Sequence, residues 1–186
     1  DLSLTTTPMY YYACIDLNID SGIMITASHN PKDENGFKIA FSNFDNAKGK
    51  EITDFYDHIE KGNFVTGKGS ITKCDVKADY FKALLDNLSF GNRKVKVVLD
   101  PGNGTTSILL DDLFKNVPVS YKIINGESDG TFPNHHPDPS IESNLEELKR
   151  VVKNTKADVG LAFDGDGDRV GVISSMGEFI PIDYYM

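Results

Sequence analysis

Two rhythms of apolar residues alternate along this chain. Short unbroken runs such as Ile23-Met24-Ile25 and Val159-Gly160-Leu161-Ala162-Phe163 have the length and branched content of buried strands. Between them apolar residues fall at helical spacing, as at Ile52, Phe55, Tyr56 and Ile59 and again at Leu145, Leu148, Val151 and Val152. The pattern predicts a helix over 7–17, with Thr7 as N-cap and Pro8 as its first helical residue, closed by Ser21-Gly22. Strands follow over 22–26 and 37–41, then a helix over 51–61. A Gly-rich stretch over 62–69 marks a domain margin.

Beyond that margin the alternation is regular. A helix over 76–88 leads to a strand over 95–99, a helix over 105–115 and a strand over 119–124. Ser143-Asn144-Leu145-Glu146 fits a capping box, opening a helix to about 154. Strands over 159–163 and 170–174 enter and leave an acidic loop. The expected class is α/β: two consecutive α/β units, residues 1–74 and 75–186, each a mixed sheet flanked by helices.

Composition narrows the function classes. Among 186 residues, 39% are hydrophobic and 25% charged, an ordinary balance for a globular protein. The net charge of −9 argues against nucleic acid as a partner, because phosphate backbones are met by clustered Lys and Arg. No apolar run approaches a membrane span and these residues show no signal-peptide pattern, so no membrane partner is expected. The two cysteines, Cys14 and Cys74, lack metal-ligand spacing and fit a reduced, cytoplasmic setting. A start at Asp1 and a stop at Met186 within an unfinished pattern are expected of a fragment.

Two motifs carry chemistry. Thr26-Ala27-Ser28-His29-Asn30-Pro31 places a hydroxyl in a Pro-punctuated loop after an apolar strand. Alone, such a serine is most often a turn cap. A hydrolytic serine would want a Gly-x-Ser-x-Gly elbow, which Ala27-Ser28-His29 does not supply. Asp164-Gly165-Asp166-Gly167-Asp168-Arg169 sets three carboxylates on alternate residues at the carboxyl end of a buried strand, the edge that ligand sites favour. An EF-hand would need Gly at the sixth position and Glu at the twelfth, where Arg169 and Ser175 stand. Carboxylates packed so closely repel, and a divalent cation explains them better than solvent does. Gly102-Asn103-Gly104 lacks full phosphate-loop spacing and reads as a tight strand-to-helix turn. His135-His136, without further ligands at zinc spacing, reads as structured loop.

Together these runs resemble the phosphohexomutase family, the phosphomannomutases and phosphoglucomutases. Asn35-Gly36-Phe37-Lys38-Ile39, Asp100-Pro101-Gly102-Asn103-Gly104 and Phe132-Pro133-Asn134-His135-His136-Pro137-Asp138-Pro139 extend the resemblance over the chain in the family's order. It implies that the chain corresponds to part of the first of four domains and to the second, running into the start of the third. It also implies that phosphorylated Ser28 exchanges its phosphoryl group with a hexose phosphate through a bisphosphate. One Mg²⁺ would be held by Asp164, Asp166, Asp168 and Ser28. Lys38, ten positions after Ser28, matches a lysine that approaches the phosphate and helps shuttle protons, and Arg169 matches an arginine contacting it. His29 and Asn30 match residues lining the same site. A glucose 1,6-bisphosphate-type activator and a hexose phosphate substrate are implied, with no oligomeric state. Thr26-Ala27-Ser28 and residues 132–139 lean toward phosphomannomutase/phosphoglucomutase over phosphoglucosamine mutase. A metal-dependent phosphatase would leave the serine loop unexplained, and a non-catalytic Mg²⁺ or sugar-phosphate binder would keep both loops without turnover.

Overall fold

The computed structural model describes residues 1–42, 44–62 and 64–184. The first helix, α1 (Thr7–Asp16), buries Met9, Tyr10, Ala13 and Cys14 on one face. Its cap is Thr6, whose hydroxyl accepts a 3.4 Å hydrogen bond from the Met9 N–H, and not Thr7. That one-residue shift leaves the Thr7 side chain free for other work. Strands β1 (Gly22–Ile25) and β2 (Phe37–Ala40) pair antiparallel, Ile25 opposite Phe37. Met24 packs with Tyr10 and Cys14 behind this ribbon. Helix α2 (Lys50–Lys61) forms at its expected apolar spacing but buries none of its residues.

Helix α3 (Lys77–Asp86) leads into β3 (Lys96–Asp100), α4 (Ser107–Phe114) and β4 (Ser120–Ile123). Helix α5 (Glu146–Thr155), β5 (Val159–Phe163), β6 (Val170–Ser174) and the short β7 (Phe179–Ile180) complete the second unit. These strands form one sheet in the order β4-β3-β5-β6-β7. The β3-β4 and β3-β5 pairs are parallel, and the β5-β6 and β6-β7 pairs antiparallel. Alternate residues of β3 feed two cores. Val98 joins Leu148, Val152 and Ile173 under α5, while Val97 and Leu99 join Leu110 on the opposite face. Gly160 lets α5 lie close on the sheet, since a Cβ there would come within 2.7 Å of Val152 and 3.0 Å of Leu148.

The α/β class holds, with two corrections inside it. Among the described residues the first unit has a two-stranded antiparallel sheet, where a mixed sheet was expected. The capping box at Ser143 does not form. Residues Glu142–Leu145 make a 3-10 turn, and α5 begins after Leu145 with no side-chain cap. The two units share a core, in which Met9 and Ala13 of α1 pack with Val76 and Leu109. The turn at Gly102-Asn103-Gly104 is tight as expected, with φ of 54° at Gly102 and 62° at Asn103. Because β3 and β5 run parallel, with Asp100 opposite Ala162, the loops leaving both emerge on one sheet edge.

Candidate active site

The loop between β5 and β6 lies at that edge and folds back on itself. The Arg169 N–H donates to Asp164 Oδ1 at 3.0 Å, and the Asp164 N–H donates to the Arg169 carbonyl at 3.3 Å. Gly167 turns the chain at φ 78°. The two other glycines nearest this loop matter for what approaches it. A Cβ on Gly165 would collide with the Ser28 carbonyl oxygen, and one on Gly104 would lie 2.8 Å from the Gly165 carbonyl oxygen. The alternation of Asp with Gly thus lets the serine loop, from the first unit, sit directly on the acidic loop of the second.

Ser28 has φ of 54°, a left-handed geometry uncommon for a non-glycine residue. Its N–H is fixed by a 2.8 Å hydrogen bond to Thr26 Oγ1, and its hydroxyl donates to Asp164 Oδ2 at 2.8 Å. His29 Nδ1 lies 3.3 Å from Ser28 Oγ but accepts a shorter, 2.7 Å bond from Arg169 Nη1. An arginine can only donate, so this nitrogen is the acceptor and the Ser28 proton is directed to Asp164. Arg169 Nε stands 3.8 Å from Asp168 and 4.0 Å from Asp164, with its side chain 46% exposed and open to an anion.

Lys38, projecting from β2, reaches Asp166 Oδ2 at 2.8 Å and Asp168 Oδ2 at 2.5 Å. Burial opposes its charge, but the hydrogen bonds and attraction from these two aspartates more than offset it and raise its pKa. Asp166 shows the complement: burial favours its neutral form, yet the bonds from Lys38 and Thr7 prevail and lower its pKa. Asp164 has only the longer, 4.0 Å approach of Arg169 Nε. Burial, which the Ser28 bond only partly opposes, and repulsion from Asp166 and Asp168 push it up to about 6.

One ligand oxygen each from Asp164, Asp166 and Asp168 lies within 4.8 Å of the other two. Asp166 Oδ1 is fully buried with no hydrogen-bond partner. A buried carboxylate oxygen is rarely left bare. An all-oxygen set of three carboxylates beside a serine hydroxyl suits a hard divalent cation such as Mg²⁺, and the bare oxygen fits the same group. The structure therefore brings together Ser28, His29, Lys38, Arg169 and the three aspartates. The Asn30 side chain donates to Glu34 at 2.7 Å.

Sequence reasoning missed Thr7 and Thr26, whose hydroxyls donate to Asp166 Oδ2 at 2.9 and 3.0 Å. The one available signal was the run Thr5-Thr6-Thr7 before Pro8, which offers more candidate caps than a helix can use. Behind the site, His135 Nε2 bonds buried Asp100 at 3.1 Å, which also accepts from Asn125 and the Gly102 N–H. A Cβ on Gly102 would fall 3.1 Å from His135 and 3.2 Å from Pro137. The loop 133–139 thus packs against the turn after β3, and Pro137 also lies 3.6 Å from where a Cβ on Gly165 would stand.

An α/β chain in which a serine hydroxyl meets three clustered carboxylates, a lysine and an arginine has the makings of a phosphoryl-transfer protein. Residues 1–65 match the model of phosphoglucomutase/phosphomannomutase alpha/beta/alpha domain I, and residues 78–177 match that of domain II. The chain belongs to the phosphoglucomutase/phosphomannomutase family. A phosphomannomutase/phosphoglucomutase of Pseudomonas syringae pv. tomato is 43% identical over 97% of this chain and 38% of its own length. A phosphoglucomutase of Neisseria meningitidis is 38% identical, with 39% of its length covered. A solved family protein from Burkholderia thailandensis superposes with a TM-score of 0.85 at 35% identity, covering 95% of this chain and 40% of that one. The chain thus spans about two-fifths of the relatives it matches.

Proposed function

We propose that Ser28 carries a phosphoryl group and exchanges it with a hexose phosphate, as the phosphorylated residue of a phosphohexomutase. The observation that carries this reading is the 2.8 Å bond from Ser28 Oγ to Asp164 inside the three-aspartate cluster. Asp164, Asp166 and Asp168 would hold Mg²⁺, which when bound neutralises charge on the phosphoserine. Lys38, kept charged by its two aspartates, offsets negative charge at the transferring group. Arg169 presents a guanidinium whose fork matches phosphate oxygens. His29, held by Arg169, shapes the wall beside Ser28.

In the transfer, the bond between phosphorus and Ser28 Oγ breaks while a bond to a sugar hydroxyl oxygen forms. The sugar hydroxyl gives up its proton and Ser28 Oγ takes one up, leaving a free Ser28 hydroxyl and a bisphosphorylated sugar. The reverse transfer from the other sugar position restores phosphoserine, a covalent route in two steps. Residues 26–28 and 132–139 and the Pseudomonas and Neisseria relatives favour mannose and glucose phosphates. A probable phosphoglucosamine mutase of Methanothermobacter thermautotrophicus is 35% identical, which keeps glucosamine phosphate as the alternative. Two unpaired cysteines agree with the reduced, cytoplasmic setting we infer. Among the described residues no helix is long and apolar enough to cross a membrane.

The test follows phosphorus. Protein charged with phosphate at Ser28 is mixed with mannose 6-phosphate or glucose 6-phosphate and observed by ³¹P NMR. Loss of the phosphoserine resonance with growth of a hexose bisphosphate is expected. Release of inorganic phosphate alone would identify a phosphatase and overturn the mutase reading.

A further inference from the structure

We propose that Thr7 and Thr26 are positioning residues for the cation site: their hydroxyls clamp one oxygen of Asp166 so that the other faces the cation. This deepens the phosphohexomutase reading and rests on its metal site. Asp166 Oδ2 receives three donors, Thr7 Oγ1 at 2.9 Å, Thr26 Oγ1 at 3.0 Å and Lys38 Nζ at 2.8 Å. Asp166 Oδ1 receives none, although the residue is only 1% exposed. A carboxylate fixed through one oxygen has its plane and remaining lone pairs fixed as well.

The hydroxyl protons can be traced. Thr26 Oγ1 accepts the Ser28 N–H at 2.8 Å, so its own proton is left for Asp166. Thr7 Oγ1 accepts from Lys38 Nζ at 3.5 Å, which likewise turns its proton toward Asp166. The Thr7 N–H also donates to the Asp166 carbonyl at 2.9 Å, so both ends of that residue are held by the first turn of α1. Thr7 is fully buried, and its bond to Asp166 meets no competition from water. Thr26 thus joins the backbone of the serine to a metal-site carboxylate through one oxygen. The clamp spans both matched domains, Thr7 and Thr26 in the first and Asp166 in the second.

A surplus of donors on one carboxylate oxygen is what outer residues of a metal site supply, and losing such a partner typically lowers metal affinity about 10–100-fold. The experiment titrates Mn²⁺, an EPR-visible stand-in for Mg²⁺, into the unphosphorylated protein and into Thr7→Val, Thr26→Val, Thr7→Ser and Thr26→Ser. Each valine variant is expected to bind Mn²⁺ about tenfold or more weakly, with each serine variant within about twofold of the parent. Thermal unfolding is followed alongside, and Thr7→Ala or Thr26→Ala replaces the valine variant at the same position if that one does not fold. Folded variants lacking a hydroxyl but binding Mn²⁺ as the parent does would overturn the clamp and leave the metal site standing. Equal Mn²⁺ binding by the parent and its triple Asp→Asn variant at 164, 166 and 168 would overturn the metal site, and the clamp with it.

Discussion

Ser28 is held in a left-handed backbone geometry by Thr26, and its carbonyl oxygen rests against the bare Cα of Gly165. Replacing Gly165 by Ala removes no reactive group yet forces the two loops apart. Such overpacking costs about 1–3 kcal/mol, and Gly165→Ala is expected to lose most phosphoryl uptake at Ser28, as read by intact-protein mass spectrometry. Uptake at the parent rate would show that the close approach is not needed. His135 offers a separate test. Its pKa is raised from the ordinary 6.5, first by the hydrogen bond to Asp100, with burial opposing. The charged pair therefore stabilises the fold fully below 6.5 and fades as pH rises through the higher folded-state value. Urea unfolding of His135→Gln should show a deficit of about 1.5–3 kcal/mol near pH 5.5 that shrinks by about pH 9. A deficit independent of pH would mean that the imidazole works only through packing. Among the site residues, the three aspartates were legible as a cation cluster from type and spacing. Ser28, His29, Lys38 and Arg169 were legible only through the family resemblance their runs carry, each having an ordinary reading alone. Thr7 and Thr26 were not, since a threonine beside a proline or at a strand end has an adequate local explanation.

Elements whose signal is burial on both sides were read almost to the residue. Strands β5 and β6 form where the unbroken apolar runs stand, and α5 buries Leu148, Val151 and Val152 as its spacing requires. Edges fared worse. The two-residue β7 is too short to show alternation, and the Ser143 cap gave way to a 3-10 turn whose Leu145 is buried in the core. Tertiary packing there outweighs a local cap worth about 1 kcal/mol. Two substitutions probe α5. Gly160→Ala should destabilise by about 1–3 kcal/mol, because Val152 and Leu148 occupy the space of a Cβ. Lys156, which ends α5 at φ 53°, carries a strain that glycine does not, so Lys156→Gly should stabilise on the order of 1 kcal/mol. Chemical denaturation midpoints measure both, and a stabilised Gly160→Ala would contradict the close contact of α5 with the sheet.

At the scale of the whole molecule, the site exists only where two units meet, the serine and lysine on one and the aspartates and arginine on the other. The two units share a core around Met9, Ala13, Val76 and Leu109, and across them the Ser28 hydroxyl lies 2.8 Å from the Asp164 carboxylate. Two units were expected from a Gly-rich margin and from strand-helix alternation beyond it. Their mutual seating was not, because it rests on glycines whose only message is the absence of a side chain. On the proposed reading the site would serve one phosphoryl group, while a mutase must also grip the far phosphate of its substrate to place the near one. These 186 residues span about two-fifths of their relatives. They are accordingly expected to exchange phosphate at Ser28 slowly and to interconvert hexose phosphates negligibly, far below the roughly 1–10³ per second of ordinary enzymes. A coupled assay showing turnover in that range would contradict the need for the remaining length. The most direct measurement of the central claim is phosphopeptide mapping after incubation with glucose 1,6-bisphosphate and Mg²⁺. The account predicts phosphate on Ser28, absent when Mg²⁺ is chelated and absent in Ser28→Ala; phosphate found only at other residues would contradict it.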